Sequence, residues 1–521
     1  MLRRQLVNLC ANALRQRSAP VVWSAVCSKR CKYTQFTGVK GIRNRKNMFE
    51  TNKIRNNDDD EEGENTSFNH GINLEDRDYE EVANTAMNLS HGQNIEQNIF
   101  VIQPYVKWGS KKSASNPDLQ LKEAEALVHS LPNCNVQLSM KVPLESLEKR
   151  VLFGSGKLEE LKKIVSKGRS GAKPLTALFI SKGTLSFAQK RLLEGEFGIP
   201  VLDRYSVVIQ ILRLHATTAE AKLQVAMAEI PYIWGQMKDA NPSMSRKQGY
   251  AFSDIQKEML KTREKKLKDE LDRIRSHRKL IRSKRKQKNF PIVAVVGYTN
   301  AGKTSLIKAL TNEQTMQPRD QLFATLDVTA HAGLLPCNLE VIYMDTVGFM
   351  SDIPTGLIEC FIATLEDAMM ADVIIHVQDL SHETWLEQRH HVERTLESLT
   401  ANLSHIENIQ MPPIINVGNK IDLLSDLKSE GPDESLKMVS SKTFKGIQDL
   451  VEDVERKVLE TTGRKKVTMR VKNGGSETPW LYKNAAVVNT RADPNNEESI
   501  LIDVIITDSK MQQFRHYFCK K

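Results

Sequence analysis

The chain has 521 residues, too many for one domain and enough for each of several domains to bury its own core. Its residues are 40% hydrophobic and 26% charged, as in an ordinary globular protein, and no apolar run approaches the length that crosses a bilayer, so we expect no membrane insertion. The formal net charge of +10 suggests a nucleic-acid partner, but only if the excess charge belongs to a folded domain.

Much of that charge lies at the N-terminus. Residues 1–49 contain eleven basic residues and no Asp or Glu, and the other 63 basic residues nearly balance the 64 acidic ones. Leu2, Leu6 and Leu9 recur at helical spacing with arginines between them, which is typical of a mitochondrial transit peptide. We therefore predict import into the mitochondrial matrix, the alternative being a solvated basic tail. The acidic stretch 50–95 is predicted to be a disordered linker.

Residues 96–204 are predicted to form a small N-terminal α/β domain. Short apolar runs at 176–180 and 199–202 alternate with segments of helical periodicity. The helical segments are 118–130, 156–166 and 184–196.

Residues 205–290 are predicted to form a long helical hairpin with its turn near 235–250. Leu260, Leu267, Ile274 and Ile281 recur every seven residues, as in a coiled-coil seam. The stretch 261–290 carries fourteen basic and four acidic residues, a charge excess suited to phosphate backbones. A solvated charged helix without a partner is the alternative.

Residues 291–465 are predicted to form a doubly wound, mainly parallel sheet, and 466–521 a small α+β cap. Buried apolar runs interleaved with helices favour the parallel sheet. The predicted strands of the two regions are 291–297, 339–345, 371–378, 412–418 and 435–440, then 467–471, 485–489 and 500–506.

A GxxxxGK[ST] motif follows the first strand of the parallel sheet and opens a helix, the context in which this motif forms a phosphate-binding loop. Lys303 is expected to reach the β- and γ-phosphates, and the Thr304 hydroxyl to ligate Mg²⁺. The motif residues are Gly297, Tyr298, Thr299, Asn300, Ala301, Gly302, Lys303 and Thr304.

Three further segments complete the pattern of a GTP site. A DxxG motif ends the second strand, where Asp345 is predicted to hold Mg²⁺ through water and the Gly348 amide to contact the γ-phosphate. An NKxD motif places Asp422 to accept both N1–H and N2–H₂ from guanine, a donor pair that adenine lacks. A backbone amide of the last segment is expected to meet guanine O6. The segments are Asp345, Thr346, Val347 and Gly348; Asn419, Lys420, Ile421 and Asp422; and Ser440, Ser441 and Lys442.

Between the phosphate loop and DxxG, a threonine is expected to bring its hydroxyl to Mg²⁺ and its amide to the γ-phosphate when GTP is bound. The residues alone leave Thr325 and Thr329 open for this role. The predicted nucleotide contacts here are Phe323, Ala324, Thr325, Leu326 and Asp327.

The catalytic group that many GTPases place after DxxG is missing. Phe349 occupies the position of the glutamine that orients the attacking water, so we expect slow hydrolysis until a partner stimulates it. Arg319 and Arg389 are arginine-finger candidates by residue type only. Asn300 is the candidate for a K⁺ contact beside the phosphates, the alternative being a loop-bracing hydrogen bond.

At these residues the chain resembles the HflX-type GTPases, in a mitochondrial branch. The resemblance covers about residues 100–460 and selects Thr325 over Thr329. It implies catalytic roles for Lys303, Thr325 and Gly348. The matching stretches are GYTNAGKT (297–304), DQLFATLDVT (320–329), DTVGF (345–349) and NKID (419–422), with FGSGKLEEL (153–161), VLDR (201–204) and AEAKLQVAMAEIP (219–231) upstream.

The resemblance implies a factor that binds the large ribosomal subunit near the peptidyl-transferase centre and promotes subunit dissociation or late large-subunit assembly. Here the ribosome would be mitochondrial, contacted through the basic helix 261–290 and the hairpin tip 235–253, by a protein that is monomeric off the ribosome. Residues 243–254 depart from the bacterial glycine-rich pattern. Gly249, Tyr250 and Phe252 are candidates for base stacking or for ordinary packing in the hairpin.

Two other functions stay open. A GTPase that assists tRNA modification would also use a basic helix and K⁺. A GTP-regulated binding module that barely hydrolyses its nucleotide would be consistent with Phe349.

Overall fold

The computed structural model describes one compact unit that lies within residues 72–521. Among the residues described, no helix is both long and apolar enough to cross a membrane. The described residues are 77–87, 96–107, 116–238, 254–288, 290–311, 313, 316, 318, 322–323, 325–326, 328–350, 365–407, 411–424, 436–494 and 496–519. The proposed transit peptide, the hairpin turn with Gly249, Tyr250 and Phe252, and Ala324, Asp327 and Arg319 lie outside them.

The N-terminal domain is a four-stranded, all-parallel sheet with strand order β2-β1-β3-β4. β1 is buried along almost its whole length, as expected for a parallel strand covered on both faces. β1 and β2 were not predicted. β2 carries no continuous apolar run, and only Val142 and Leu144 are buried in it. The elements are β1 (Gln97–Val106), α2 (Pro117–His129), β2 (Cys134–Leu144), α3 (Ser155–Arg169), β3 (Ala177–Ile180), α4 (Phe187–Phe197) and β4 (Val201–Asp203).

A helix, α1 (Arg77–Met87), precedes this domain, so the prediction of a disordered linker is wrong for these residues. Tyr79, Ala83 and Met87 are buried on one face of α1, and the Tyr79 hydroxyl donates to Glu229 Oε2 at 2.6 Å. Glu80 and Glu81 lie on the exposed side of α1. Because these and other acidic residues make the segment polar as a whole, its apolar face was not predicted.

The predicted hairpin is present as three helices: α5 (Arg204–His215), α6 (Ala219–Lys238) and α7 (Asp254–Lys288). α6 and α7 run antiparallel, because Trp234 Nε1 donates to Glu264 Oε2 at 3.3 Å near one end and Arg278 pairs with Glu220 near the other. Of the predicted seam, Leu260 and Leu267 are fully buried and Ile274 is partly buried. The side chain of Ile281 lies outside the part of the chain that the structure describes.

The G domain is a six-stranded sheet of order β10-β9-β8-β5-β7-β6, parallel except for β6, and this confirms the predicted fold. β6 was not predicted, and β10 is shorter than the predicted strand 435–440. The elements are β5 (Ile292–Gly297), α8 (Lys303–Thr311), β6 (Thr329–Leu334), β7 (Glu340–Asp345), β8 (Val373–Asp379), α9 (Trp385–Glu407), β9 (Ile414–Asn419), β10 (Lys437–Met438) and α10 (Ile447–Thr461).

The C-terminal region is an antiparallel three-stranded sheet of order β11-β13-β12, with two helices over one face. Met469, Ile502, Val504 and Phe514 form its core, whereas Ile505 on the opposite face joins the G-domain core. The elements are β11 (Arg464–Lys472), α11 (Glu477–Asn484), β12 (Ala486–Ala492), β13 (Ser499–Thr507) and α12 (Asp508–Phe518).

Candidate nucleotide-binding site

The phosphate loop connects the end of β5 to the start of α8, as the motif predicts. A Cβ on Gly297 would lie 2.3 Å from the Val377 carbonyl oxygen, and Gly302 has a φ of 91°, which side chains rarely adopt, so both positions favour glycine. Asn300 has a φ of 61°, a left-handed conformation that Asn tolerates better than most residues. The loop therefore has the tight curvature that lets backbone amides surround an anion.

Lys303 is buried and donates through Nζ to the Tyr298 carbonyl at 3.1 Å. Burial lowers the pKa of Lys303 to about 8, with the Asp345 carboxylate opposing the shift. A Cβ on Gly348 would come within 3.0 Å of the same Nζ, so this glycine lets the DxxG backbone approach the lysine. An anion placed in the loop would stabilise this buried ammonium.

The three predicted Mg²⁺ ligands converge. Thr304 Oγ1 donates to Asp345 Oδ2 at 2.6 Å, and Thr325 Oγ1 lies 3.1 Å from Thr304 Oγ1 and 3.2 Å from Asp345 Oδ2. Thr329 instead bonds to His331, so the geometry selects Thr325 of the two candidates.

The chemistry of this cluster fits a hard cation. Burial raises the pKa of Asp345, and Lys303 and the two threonine hydroxyls oppose the rise. Asp345 Oδ1 is buried with no hydrogen-bond partner among the described residues. Oxygen donors with one orphaned carboxylate atom suit Mg²⁺ or its water shell.

The backbone after DxxG is pinned to the phosphate loop. Phe349 donates from its amide to the Gly297 carbonyl at 3.0 Å and accepts from the Thr299 amide at 2.7 Å. The Phe349 side chain is buried in an apolar core that also contains Tyr205 and Leu212 of α5. The ring therefore packs away from the phosphate side of the site and offers no hydrogen bond to water.

The NKxD motif braces the phosphate loop at the other end of the site. Asn419 Nδ2 donates to the Ala301 carbonyl at 3.0 Å, and Asn419 Oδ1 accepts from the Ser441 amide at 3.1 Å. Ser440 Oγ donates to Asp422 Oδ1 at 2.6 Å and fixes that carboxylate. Lys420 has a φ of 64° and pairs with Asp379 at 2.8 Å.

The hydrogen bonds of residues 440–442 indicate which of their three backbone amides could donate to guanine O6. The Ser440 amide donates to the Lys445 carbonyl and the Ser441 amide to Asn419. Within the described part of the chain, the Lys442 amide is then the one of the three without a recorded hydrogen bond.

Two neighbouring cavities, of about 560 Å³ and about 50 Å³, are lined by many of the predicted residues. The predicted residues that line them are Thr299, Asn300, Gly302, Lys303, Thr304, Phe323, Thr325, Gly348, Asn419, Lys420, Asp422, Ser441 and Lys442. The predicted residues that do not line them are Gly297, Tyr298, Ala301, Leu326, Asp345, Thr346, Val347, Ile421 and Ser440. Lining residues that the motifs did not indicate are Ser305, Lys308, Ala309, Glu313, Pro318, Leu423 and Phe444.

Tyr298 faces the N-terminal domain instead of the cavity. Its hydroxyl donates to Glu123 Oε1 at 2.9 Å, and Glu123 Oε2 pairs with the buried Arg204 at 3.0 Å. Motifs do not reveal this link, because its partners lie 175 residues apart. Of the arginine-finger candidates, Arg389 pairs with Glu393 on its own helix and lines neither cavity.

Comparison with known proteins gives matches to GTP-binding proteins along most of the chain. Family models described as GTP-binding GTPase N-terminal, GTP-binding GTPase Middle Region and 50S ribosome-binding GTPase match residues 118–212, 215–285 and 292–420. The Xenopus laevis protein named Putative GTP-binding protein 6 is 40% identical over 437 residues, 81% of this chain and 80% of that protein. GTPase HflX of Caldanaerobacter subterraneus is 35% identical over 326 residues, 61% of this chain and 72% of that protein.

A solved structure is also similar: a GTP-binding protein from Sulfolobus solfataricus in complex with GDP. It is 23% identical and aligns with 69% of this chain and 99% of its own, at a TM-score of 0.37.

Proposed function

The chain belongs to the HflX family of GTPases, and from this membership we propose that it acts on the mitochondrial ribosome as a nucleotide-switched factor. It would bind the large subunit and promote subunit dissociation, late large-subunit assembly, or both. The observation that carries the ribosomal part is the match of the G domain to a family described as a 50S ribosome-binding GTPase.

We assign the nucleotide as follows. Lys303 and the loop amides hold the β- and γ-phosphates, and Asp422 reads the N1–H and N2–H₂ edge of guanine. Thr304 and Thr325 would ligate Mg²⁺, with Asp345 acting through water. The ion would neutralise charge on the phosphates. Asn300 at its left-handed position is the residue proposed to contact K⁺.

Hydrolysis by the isolated protein is proposed to be slow. With Phe349 buried, none of the described residues that line the small cavity is a carboxylate, glutamine or histidine that could orient water. The ribosome would supply or position the missing group. The protein would then be a GTPase like the other members of its family, with a rate of GTP hydrolysis that depends on the ribosome.

The basic helix α7 is proposed to contact ribosomal RNA. Much of its charge is already paired within the protein: Lys268 pairs with Glu264, and Arg278 pairs with Glu220 and Asp367. Lys265 and Lys266 are exposed, and neither has a carboxylate within 4.0 Å among the described residues. These two lysines are the described side chains best suited to phosphate contacts.

The basic, acid-free segment 1–49 supports import into the mitochondrial matrix. A fusion of residues 1–49 to a fluorescent protein tests this part of the proposal. We expect mitochondrial fluorescence that disappears when the arginines are replaced by glutamate, and cytosolic fluorescence from the unmodified fusion would contradict it.

Co-sedimentation with purified mitochondrial large subunits tests the ribosomal assignment. We expect binding with a non-hydrolysable GTP analogue, weaker binding with GDP, and a loss of about tenfold for Lys265→Glu with Lys266→Glu. The matched control is Lys465→Glu with Lys466→Glu, the same change on β11. Equal binding in all nucleotide states, or none, would contradict the proposal.

A further inference from the structure

The loop that follows β10 carries an aromatic residue in an unusual place. Phe444 lines the large cavity together with Lys420 and Asp422. Its side chain is 59% exposed, and Leu423, on the neighbouring wall of the same cavity, is 61% exposed. Two large apolar side chains thus face solvent inside a cavity whose other described walls are mainly polar or charged.

The backbone at Phe444 is strained. Its φ of 61° is a left-handed conformation that bulky side chains rarely adopt. Gly446, two residues later, has a φ of 73°, and a Cβ there would lie 2.3 Å from the Met438 carbonyl oxygen. The loop therefore uses glycine where contacts demand it, and an aromatic residue where the space beside it is open.

Hydrogen bonds fix the position of this loop. The Ser440 amide donates to the Lys445 carbonyl at 3.0 Å, and the Thr443 amide donates to Ser440 Oγ at 3.1 Å. Ser440 Oγ also donates to Asp422, the proposed guanine-reading carboxylate. Phe444 is thus held on a closed turn whose first residue positions Asp422.

We propose that Phe444, supported by Leu423, stacks on the guanine base and forms the apolar wall of the base subsite. Asp422 reads the edge of the base, and the ring of Phe444 covers part of its face. Stacking of this kind tolerates changes at the base edge, because every purine presents the same kind of π-surface. This inference rests on the proposed assignment of the cavity to a guanine nucleotide.

Calorimetric binding of GDP to the full-length protein is the first test. We expect Phe444→Ala to raise Kd five- to tenfold, Phe444→Trp to stay within twofold of the unmodified protein, and Tyr517→Ala, an exposed aromatic control on α12, to leave Kd unchanged. We expect Phe444→Gly to weaken GDP binding equally, without lowering the melting temperature of the nucleotide-free protein, since glycine adopts this φ freely.

Inosine diphosphate separates the face of the base from its edge, because it keeps the purine ring and lacks the 2-amino group. Phe444→Ala should weaken inosine diphosphate by the same factor as GDP, whereas Asp422→Ala should weaken GDP by the larger factor. A Kd for Phe444→Ala within twofold of the unmodified protein, or a loss that Trp does not restore, would overturn the inference. If Asp422→Ala also left GDP binding intact, the assignment of the cavity would fail as well.

Discussion

The two ends of the nucleotide site differ in how they join the rest of the protein. At the phosphate end, Lys303, Asp345 and Thr346 are buried, and Tyr298 and Phe349 pack into the core that includes the N-terminal domain and hairpin. At the guanine end, Leu423 and Phe444 face an open cavity. From this difference we expect the phosphate end to transmit the nucleotide state to the other domains and the guanine end to select the base.

The largest expected effect comes from removing the buried cation of the phosphate end. Lys303→Ala should raise Kd for GTP and GDP by about 300-fold, because loss of one partner of a buried charge pair costs roughly 2–5 kcal/mol. Lys457→Ala on α10, a lysine that lines neither cavity, should change Kd by less than about threefold, since its Nζ pairs with Glu460 on the same helix. Calorimetry on both variants checks this, and similar losses for the two would contradict a special role for Lys303.

The guanine end should change specificity without losing binding altogether. Asp422→Asn should raise Kd for GTP about 100-fold and improve binding of xanthosine triphosphate, because the Asn amide can donate to the 2-oxo group that replaces guanine N2–H₂. Competition binding with both nucleotides measures the switch. Asp449→Asn on α10 is the control for loss of one negative charge. Unchanged selectivity in Asp422→Asn would place guanine recognition elsewhere.

A pH dependence should belong to the phosphate end alone. Burial lowers the pKa of Lys303 to about 8, so the nucleotide-free protein loses this proton above pH 8, whereas bound phosphate would retain it. Binding then takes up a proton, and Kd for GDP should rise about fivefold between pH 8 and pH 9.

Lys303→Arg is the control, because arginine stays charged over this pH range. Any pH dependence of GDP binding that remains in this variant comes from titration of the nucleotide itself. An equal pH dependence in both proteins would contradict the assignment to Lys303. Without nucleotide, the unfolded chain binds this proton up to its ordinary pKa of 10.5. The Lys303 contribution to the free energy of unfolding should therefore rise between pH 8 and pH 10.5.

The smallest effect should come from the link between the phosphate loop and the N-terminal domain. Tyr298→Phe removes the hydrogen bond to Glu123 and should lower the free energy of unfolding by about 1 kcal/mol. It should also shift the ratio of GTP to GDP affinity two- to threefold. Tyr482→Phe, which loses an exposed bond to Thr490, should change neither quantity by a measurable amount. A stability loss with an unaltered affinity ratio would mean that the link is structural only.

The same contrast explains what the sequence could and could not predict. Gly297, Gly302 and Asp345 were predicted in place, because the motifs encode local backbone geometry at the ends of buried strands. Phe444 and the Tyr298–Glu123 link were missed, since one lies in a loop without periodicity and the other joins residues distant in sequence.

The prediction of helices and strands followed the same rule. The strands β5, β7, β8 and β9 were predicted because each carries a run of mostly apolar residues that is largely buried. β2 was missed because strands were predicted from continuous apolar runs, whereas Cys134–Leu144 alternates apolar and polar residues, which is also a strand pattern. The buried face of α1 depends on the surface it packs against, and an acidic composition hid it until that surface was known.

The most direct test of the central claim is GTP turnover by the purified protein with and without mitochondrial large subunits, followed at low and high salt. We predict slow turnover alone, strong stimulation by the subunit, loss of stimulation at high salt, and no turnover in Lys303→Ala. Turnover that is unaffected by the subunit at any salt concentration would contradict a ribosome-activated switch and direct the search for a partner to tRNA or protein.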